Sequence, residues 1–228
     1  MSILTVSRFL VIAALAGPAH AQLESISNRD ATSALREALV KGSQAAVAEL
    51  GRHDGFLGNA KVRIPLPESA QKVEKMMRGF GMGRQADELI ITINRAAESA
   101  LPQARELLVD SVKRMTVDDA KGILTGGQDS ATQYFRRTTG EQIRARFLPI
   151  VQKATARLKL AEVYNKYAAY GAGLGLISKE DSNLDQYVTG KAIDGLFIIV
   201  AEEEAKIRQN PAQAASRVLQ RVFGAMQR

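Results

Sequence analysis

Apolar residues recur at helical spacing almost throughout the chain. Between Ala31 and Leu50 they fall at Ala31, Leu35, Ala38, Leu39, Ala45, Val47 and Leu50, near one face of a 3.6-residue repeat. Ser27 and Asp30 stand ahead of them as a capping box, a hydroxyl and a carboxylate that satisfy free amides of the first turn. Gly51 to Pro67 reads as a long loop, because prolines at 65 and 67 hold Val62-Arg-Ile-Pro-Leu-Pro67 extended. Helix resumes near Glu68, pauses at the hinge Gly79-Phe-Gly81-Met-Gly83, and runs again from Arg84 to Ala100 with Leu89, Ile90, Ile93 and Ala97 in register. Pro102 suits the first turn of the next helix, and Thr116-x-x-Asp119 is a second capping box, for a helix closed by Gly126-Gly127.

Further on, Asp129 to Thr139 is predicted as a short helix. Thr138-x-x-Glu141 is expected to restart the chain into a long helix reaching about Tyr170, kinked at Pro149. Asn183 or Ser182 caps a helix to Arg208. Asn210-Pro211 then opens a last one carrying Val218, Leu219, Val222 and Phe223 inward. No strand alternation and no repeat of solenoid length is visible. The pattern predicts an all-α fold, one compact bundle of eight or nine helices, with an internal joint near 171–182 at Gly171-Ala-Gly173-Leu-Gly175.

Residues 1–21 fit a different plan. Arg8 precedes the apolar run Phe9 to Ala16, then come Gly17-Pro18 and Ala19-His20-Ala21, the small-x-small pattern of a secretory signal peptide. The run is shorter than the ~20 residues a membrane span needs. The expectation is export to the periplasm, cleavage after Ala21, and a mature all-helical domain of residues 22–228 beginning at Gln22, without a transmembrane span. Composition narrows the chemistry. There is no cysteine, so disulfides, thiolate metal sites and cysteine nucleophiles are excluded. Of two histidines, only His53 lies beyond the leader, so no metal site built on several histidines and no cofactor is expected.

Charge is segregated. The whole chain carries +7, and loss of Arg8 with the leader leaves +6. Between Ser130 and Leu160 stand Arg136, Arg137, Arg144, Arg146, Lys153, Arg157 and Lys159 against Glu141 alone. Arg146, Lys153 and Arg157 share one stripe of the long helix, opposite Ile143, Phe147, Ile150, Ala154 and Leu158. A cationic face of this kind attracts lipid headgroups or acidic proteins, or it is a solvated outer surface. Nucleic acid is not expected, since aromatics make up only 5% of the chain.

Gly195-Leu-Phe-Ile-Ile-Val-Ala201 is apolar on all sides and marks a central helix. Extending its inward stripe lands on Glu203 and Glu204, so at least one carboxylate should turn inward, with Tyr134 in the same buried polar cluster. Arg136 or Arg137 is the expected partner, and i,i+4 pairs such as Glu202–Lys206 and Glu204–Arg208 are the structural alternative. Other motifs carry less. Gly171-x-Gly-x-Gly175 lacks the strand and Lys-Ser/Thr of a nucleotide loop. His53-Asp54 lacks a nucleophile elbow. Glu98-Ser99 resembles the Glu-Ser of lytic transglycosylases, without the Gly-Leu-Met-Gln segment that follows there, and reads as a surface residue.

Several blocks taken together resemble a bacterial family. They are Asp54-Gly-Phe-Leu57, Val62-Arg-Ile-Pro-Leu-Pro67, Met115-Thr-Val-Asp-Asp-Ala-Lys121, Ala131-Thr-Gln-Tyr-Phe-Arg-Arg-Thr-Thr139, Leu184-Asp-Gln-Tyr-Val-Thr-Gly-Lys-Ala192, Asp194-Gly-Leu-Phe197 and Ile207-Arg-Gln-Asn-Pro211. The resemblance is to domain of unknown function family 4197, exported proteins found mainly in Gram-negative bacteria. It implies a periplasmic single domain and carries over no catalytic residue. Two functions are expected from the residues themselves. The first is a non-enzymatic module that binds an envelope protein or an anionic lipid surface through Arg136, Arg137, Arg144, Arg146, Lys153 and Arg157. The alternative is a cell-wall hydrolase or lyase using Glu203 or Glu204 as its acid.

Overall fold

The structure is a computed structural model that describes residues 28–81, 83–158, 161–162, 164–165, 168, 173 and 182–210. Among these residues every regular element is a helix: α1 (Asn28–Gly51), α2 (Glu68–Gly79), α3 (Gly83–Ala100), α4 (Pro102–Arg114), α5 (Val117–Thr125), α6 (Ser130–Thr155) and α7 (Leu184–Gln209). The all-α reading holds, and among the described residues seven helices are delimited where eight or nine were expected of the whole chain. Ser27, residues 1–21, most of the joint at 171–182 and the helix expected after Pro211 lie outside the described residues.

Part of the shortfall has a local cause. No new helix begins at Thr138. Its hydroxyl donates to the carbonyl of Tyr134 (2.8 Å) and that of Thr139 to Phe135 (2.7 Å), so both threonines bond back into the preceding turn instead of capping a fresh one. The expected pair of helices is therefore one, α6, continuous through Pro149. Its far end also departs from expectation, stopping at Thr155 and not near Tyr170. There the Thr155 hydroxyl bonds to Asp185 (2.5 Å) in the first turn of α7, and a turn follows from Leu158 N–H to Thr155 O.

Elsewhere the caps behave as the residues dictate. Thr116 accepts from the Asp119 N–H while the Asp119 carboxylate accepts from the Thr116 N–H, each at 3.0 Å. Those bonds hold the Asp119 carboxyl below its usual range. Asn183 accepts from the N–H groups of Asp185 and Gln186 at the start of α7. Gly81, with φ near +75°, supplies the left-handed residue of the α2–α3 hinge.

One contiguous cluster of buried side chains runs through all seven helices, with Phe56, Phe135, Phe147 and Phe197 among its largest members. α6 is the hub, packing on α3, α4, α5 and α7, while α1 packs on α4, α5 and α7. α7 is buried along most of the stretch Leu184–Val200, as the apolarity of its centre predicts, and Ile198 is its one large apolar side chain left exposed, at 43%.

Candidate anion-binding groove

Two polar side chains on α3 set the geometry. Asn94 and Glu98 stand one turn apart on the same face, both buried. Asn94 treats the backbone of Ile64 as a strand would, accepting from its N–H (2.8 Å) and donating to its carbonyl (2.9 Å). Glu98 accepts from the N–H groups of Phe56 (3.0 Å) and Leu57 (3.1 Å) through one oxygen, and from Arg95 (2.7 Å) through the other. Arg95 in turn bonds Asp54 (2.7 Å), whose carboxyl it holds below the ordinary range and whose φ of 62° lies in the left-handed region. Glu98 is thus no surface residue, and the expectation was wrong because its partners lie 42 positions away in a loop. With every oxygen committed to a donor, it offers nothing to a substrate.

The segment so pinned lies against α7. A Cβ on Gly195 would come within 2.7 Å of Phe56 Cε1 and 3.3 Å of Val62 Cβ, so only glycine permits this approach. Above the contact opens a groove of about 460 Å³, floored by Gly195 and walled by Lys61, Arg63, Arg136, Lys191 and Asp194, with Ile198 and Pro65 at its rim. Its cations come from three separated stretches of chain. Arg136 is fixed by Asp194 (2.9 Å) and lies 4.7 Å above the centre of the Phe197 ring. Only one of its five N–H donors is used in that bond. Lys61 pairs with Glu202 (2.7 Å). Lys191 rests over Tyr187 at 5.6 Å, and neither it nor Arg63 has an acidic partner among the described residues. Two positive charges are left without a counter-charge.

The remaining cations of α6 are spread differently. Arg137 faces Asp119 at 3.8 Å, Arg144 faces Glu141 at 4.0 Å, and Arg146 bonds Glu106 at 3.1 Å. The stripe is therefore interrupted by acids from α4 and α5 as well as its own helix. Lys153 and Arg157 sit apart, on a second groove of about 520 Å³ between α3 and α6 with Glu88 on its opposite wall.

The inward carboxylate is Glu204, 4% exposed. It accepts from the N–H groups of Ala131 (3.0 Å) and Thr132 (2.9 Å), the Thr132 hydroxyl (2.8 Å) and Arg208 (2.7 Å). Asp129, the N-cap residue of α6, makes no side-chain cap, so Glu204 caps α6 from another helix and places a negative charge at its positive end. Its cation is Arg208, not Arg136 or Arg137. Glu203 points to a groove between α1 and α7 and bonds Lys206 (2.6 Å), raising the lysine's pKa. Tyr134 is buried but donates to Ser111 O (2.9 Å). It makes no bond to either glutamate.

The family model described as "Protein of unknown function (DUF4197)" matches residues 25–224. The chain belongs to this family. No curated protein and no solved structure matches it. Of the DUF4197 chain's groove, sequence reasoning had named Arg136 alone. Lys191, Asp194, Ile198 and Glu202 follow one another along α7 at spacings of three, four and four, a stripe that helical periodicity places on one face. Lys61 and Arg63 join them only through the loop that α3 holds. Among the described residues no group of three acidic or histidine side chains is placed to hold a metal, and no helix is long and apolar enough to cross a membrane.

Proposed function

We propose that this protein is a non-enzymatic binding module of the periplasm that holds a negatively charged group of an envelope partner or ligand in the groove between Lys61–Pro65 and α7. The observation that carries the reading is the convergence of Lys61, Arg63, Arg136 and Lys191 on one concave site with a single carboxylate in its wall. A concave, basic site concentrates field lines and favours an anion more than the same charges on a convex face. Arg136 is held in a fixed plane by Phe197 and Asp194 with donors to spare, which suits two-point recognition of an oxyanion. Export is supported by the leader-like residues 1–21.

Catalysis by Glu203 or Glu204 finds no support in their surroundings. Glu204 is saturated by donors from α6 and Arg208, and Glu203 is tied to Lys206. The test is a pull-down from envelope extract with the wild type and with Arg63→Glu/Lys191→Glu. The expected result is salt-sensitive capture by the wild type and none by the variant. Equal capture by both proteins would remove the groove from the function. Sequencing the N-terminus of the protein recovered from the periplasmic fraction tests export, with Gln22 as the expected first residue.

A further inference from the structure

Charge counting in the groove narrows the ligand, and this step rests on the anion-binding reading above. Five charged side chains line the site, Lys61 and Arg63 from the loop, Arg136 from α6, and Lys191 and Asp194 from α7, and Glu202 pairs with Lys61 from outside the lining. Two pairs cancel internally, Lys61 with Glu202 at 2.7 Å and Arg136 with Asp194 at 2.9 Å. Arg63 and Lys191 remain, both exposed and both lining the same cavity, one from the loop and one from α7. We infer that the groove selects a dianionic phosphomonoester, bound between Arg63 and Lys191 with the free donors of Arg136 beneath it.

A carboxylate or a phosphodiester brings one negative charge and leaves one of the two cations unmatched. A phosphomonoester brings about −1.5 to −2 near neutral pH, with three acceptor oxygens for the several donors present. The exposed Ile198 and Pro65 at the rim accommodate an apolar group carried next to the phosphate. No histidine lines the groove, so the side chain type that ordinarily changes charge between pH 5 and 8 is absent from it. A change in affinity across that interval reports the ligand's own second ionisation.

The experiment titrates the protein with phenyl phosphate and with dimethyl phosphate, followed by calorimetry and by amide shifts of Arg63, Lys191 and Ile198, at pH 7.5 and pH 5.0. The second pKa of a phosphomonoester is about 6, so phenyl phosphate should bind about tenfold more weakly at the lower pH. Dimethyl phosphate, a monoanion at both, should bind more weakly throughout and show no change. In Arg63→Ser/Lys191→Ser, whose exposed positions leave the core untouched, the preference for phenyl phosphate should disappear while the helical spectrum is retained. Vesicles containing phosphatidic acid separate the two sources of such a group. Co-flotation that phenyl phosphate competes away identifies a lipid headgroup, and phenyl phosphate binding without flotation identifies a soluble ligand. Either result upholds the dianion. Equal affinity for both probes at both pH values overturns the dianion and leaves anion binding standing. No shift at the groove with any probe overturns both.

Discussion

Replacing Glu204 by glutamine keeps the side chain's shape and removes its charge from a site 4% exposed. The carboxylate accepts from two backbone N–H groups, one hydroxyl and the Arg208 guanidinium. An amide can present only one oxygen, so its NH2 would face a donor, and Arg208 would lose its anion. Breaking a buried ion pair from one side costs about 3–5 kcal/mol, a large part of the ~5–15 kcal/mol that holds a protein of this kind folded. Urea unfolding followed by circular dichroism reads this as a fall in midpoint of about 1 M or more. Adding Arg208→Met to Glu204→Gln removes the cation that Glu204 neutralised and should restore about 1–2 kcal/mol, leaving the α6 amides and the lost Arg208 bond to Ile123 O as the residual loss. If Glu204→Gln were within about 0.5 kcal/mol of the wild type yet abolished a cell-wall cleavage or binding activity, the structural assignment of this carboxylate would be refuted.

Other substitutions probe neighbouring steps. Glu98→Gln should cost about 2–4 kcal/mol by the same reasoning, and hydrogen exchange should show Phe56 and Leu57 amides opening before α3 does. Gly195→Ala drives a methyl against the Phe56 ring, so about 1–3 kcal/mol of stability should go and anion binding should weaken through displacement of Lys61 and Arg63. Thr116→Ala removes the α5 cap for about 1 kcal/mol in thermal unfolding. The Asp119 carboxyl is depressed by that cap, so its contribution is complete above its ordinary value of 3.8 and fades as pH falls through the lower folded value. Asp119→Asn should flatten the stability profile on that acid limb and leave its shape near neutrality unchanged.

Local chemistry was readable and distant pairing was not. The Thr116 box, the Asn183 cap, Pro102 and the glycine hinge each act within four residues, so their meaning is written beside them. The inward turn of a carboxylate after Val200 was readable because it follows from the period of α7 alone. The i,i+4 pairing with Arg208 was readable too, as the alternative to Arg136 or Arg137, but the capping of α6 from 72 and 73 residues away was not, since it depends on how two helices meet. Glu98 failed for the same reason. Thr138 and Thr139 misled because a hydroxyl that can open a helix can equally bond back within one. The basic stripe of α6 was real in sequence, yet Glu106 and Asp119 reach it from elements that no reading of α6 could place. Two unmatched cations, Arg63 and Lys191, meet instead where a proline-braced loop crosses a glycine.

α1 has its lasting neighbours in α4, α5 and α7, and α7 does not begin until Leu184. A chain emerging from its N-terminus can therefore cover α1 with α4 and α5 early, yet part of the α1 surface stays open until α7 is made. α6 waits likewise, since the Ala131 and Thr132 amides of its first turn have their acceptor in Glu204. Truncation before Leu184 removes the keystone rather than an end, and such a fragment should collapse into sticky, loosely ordered material.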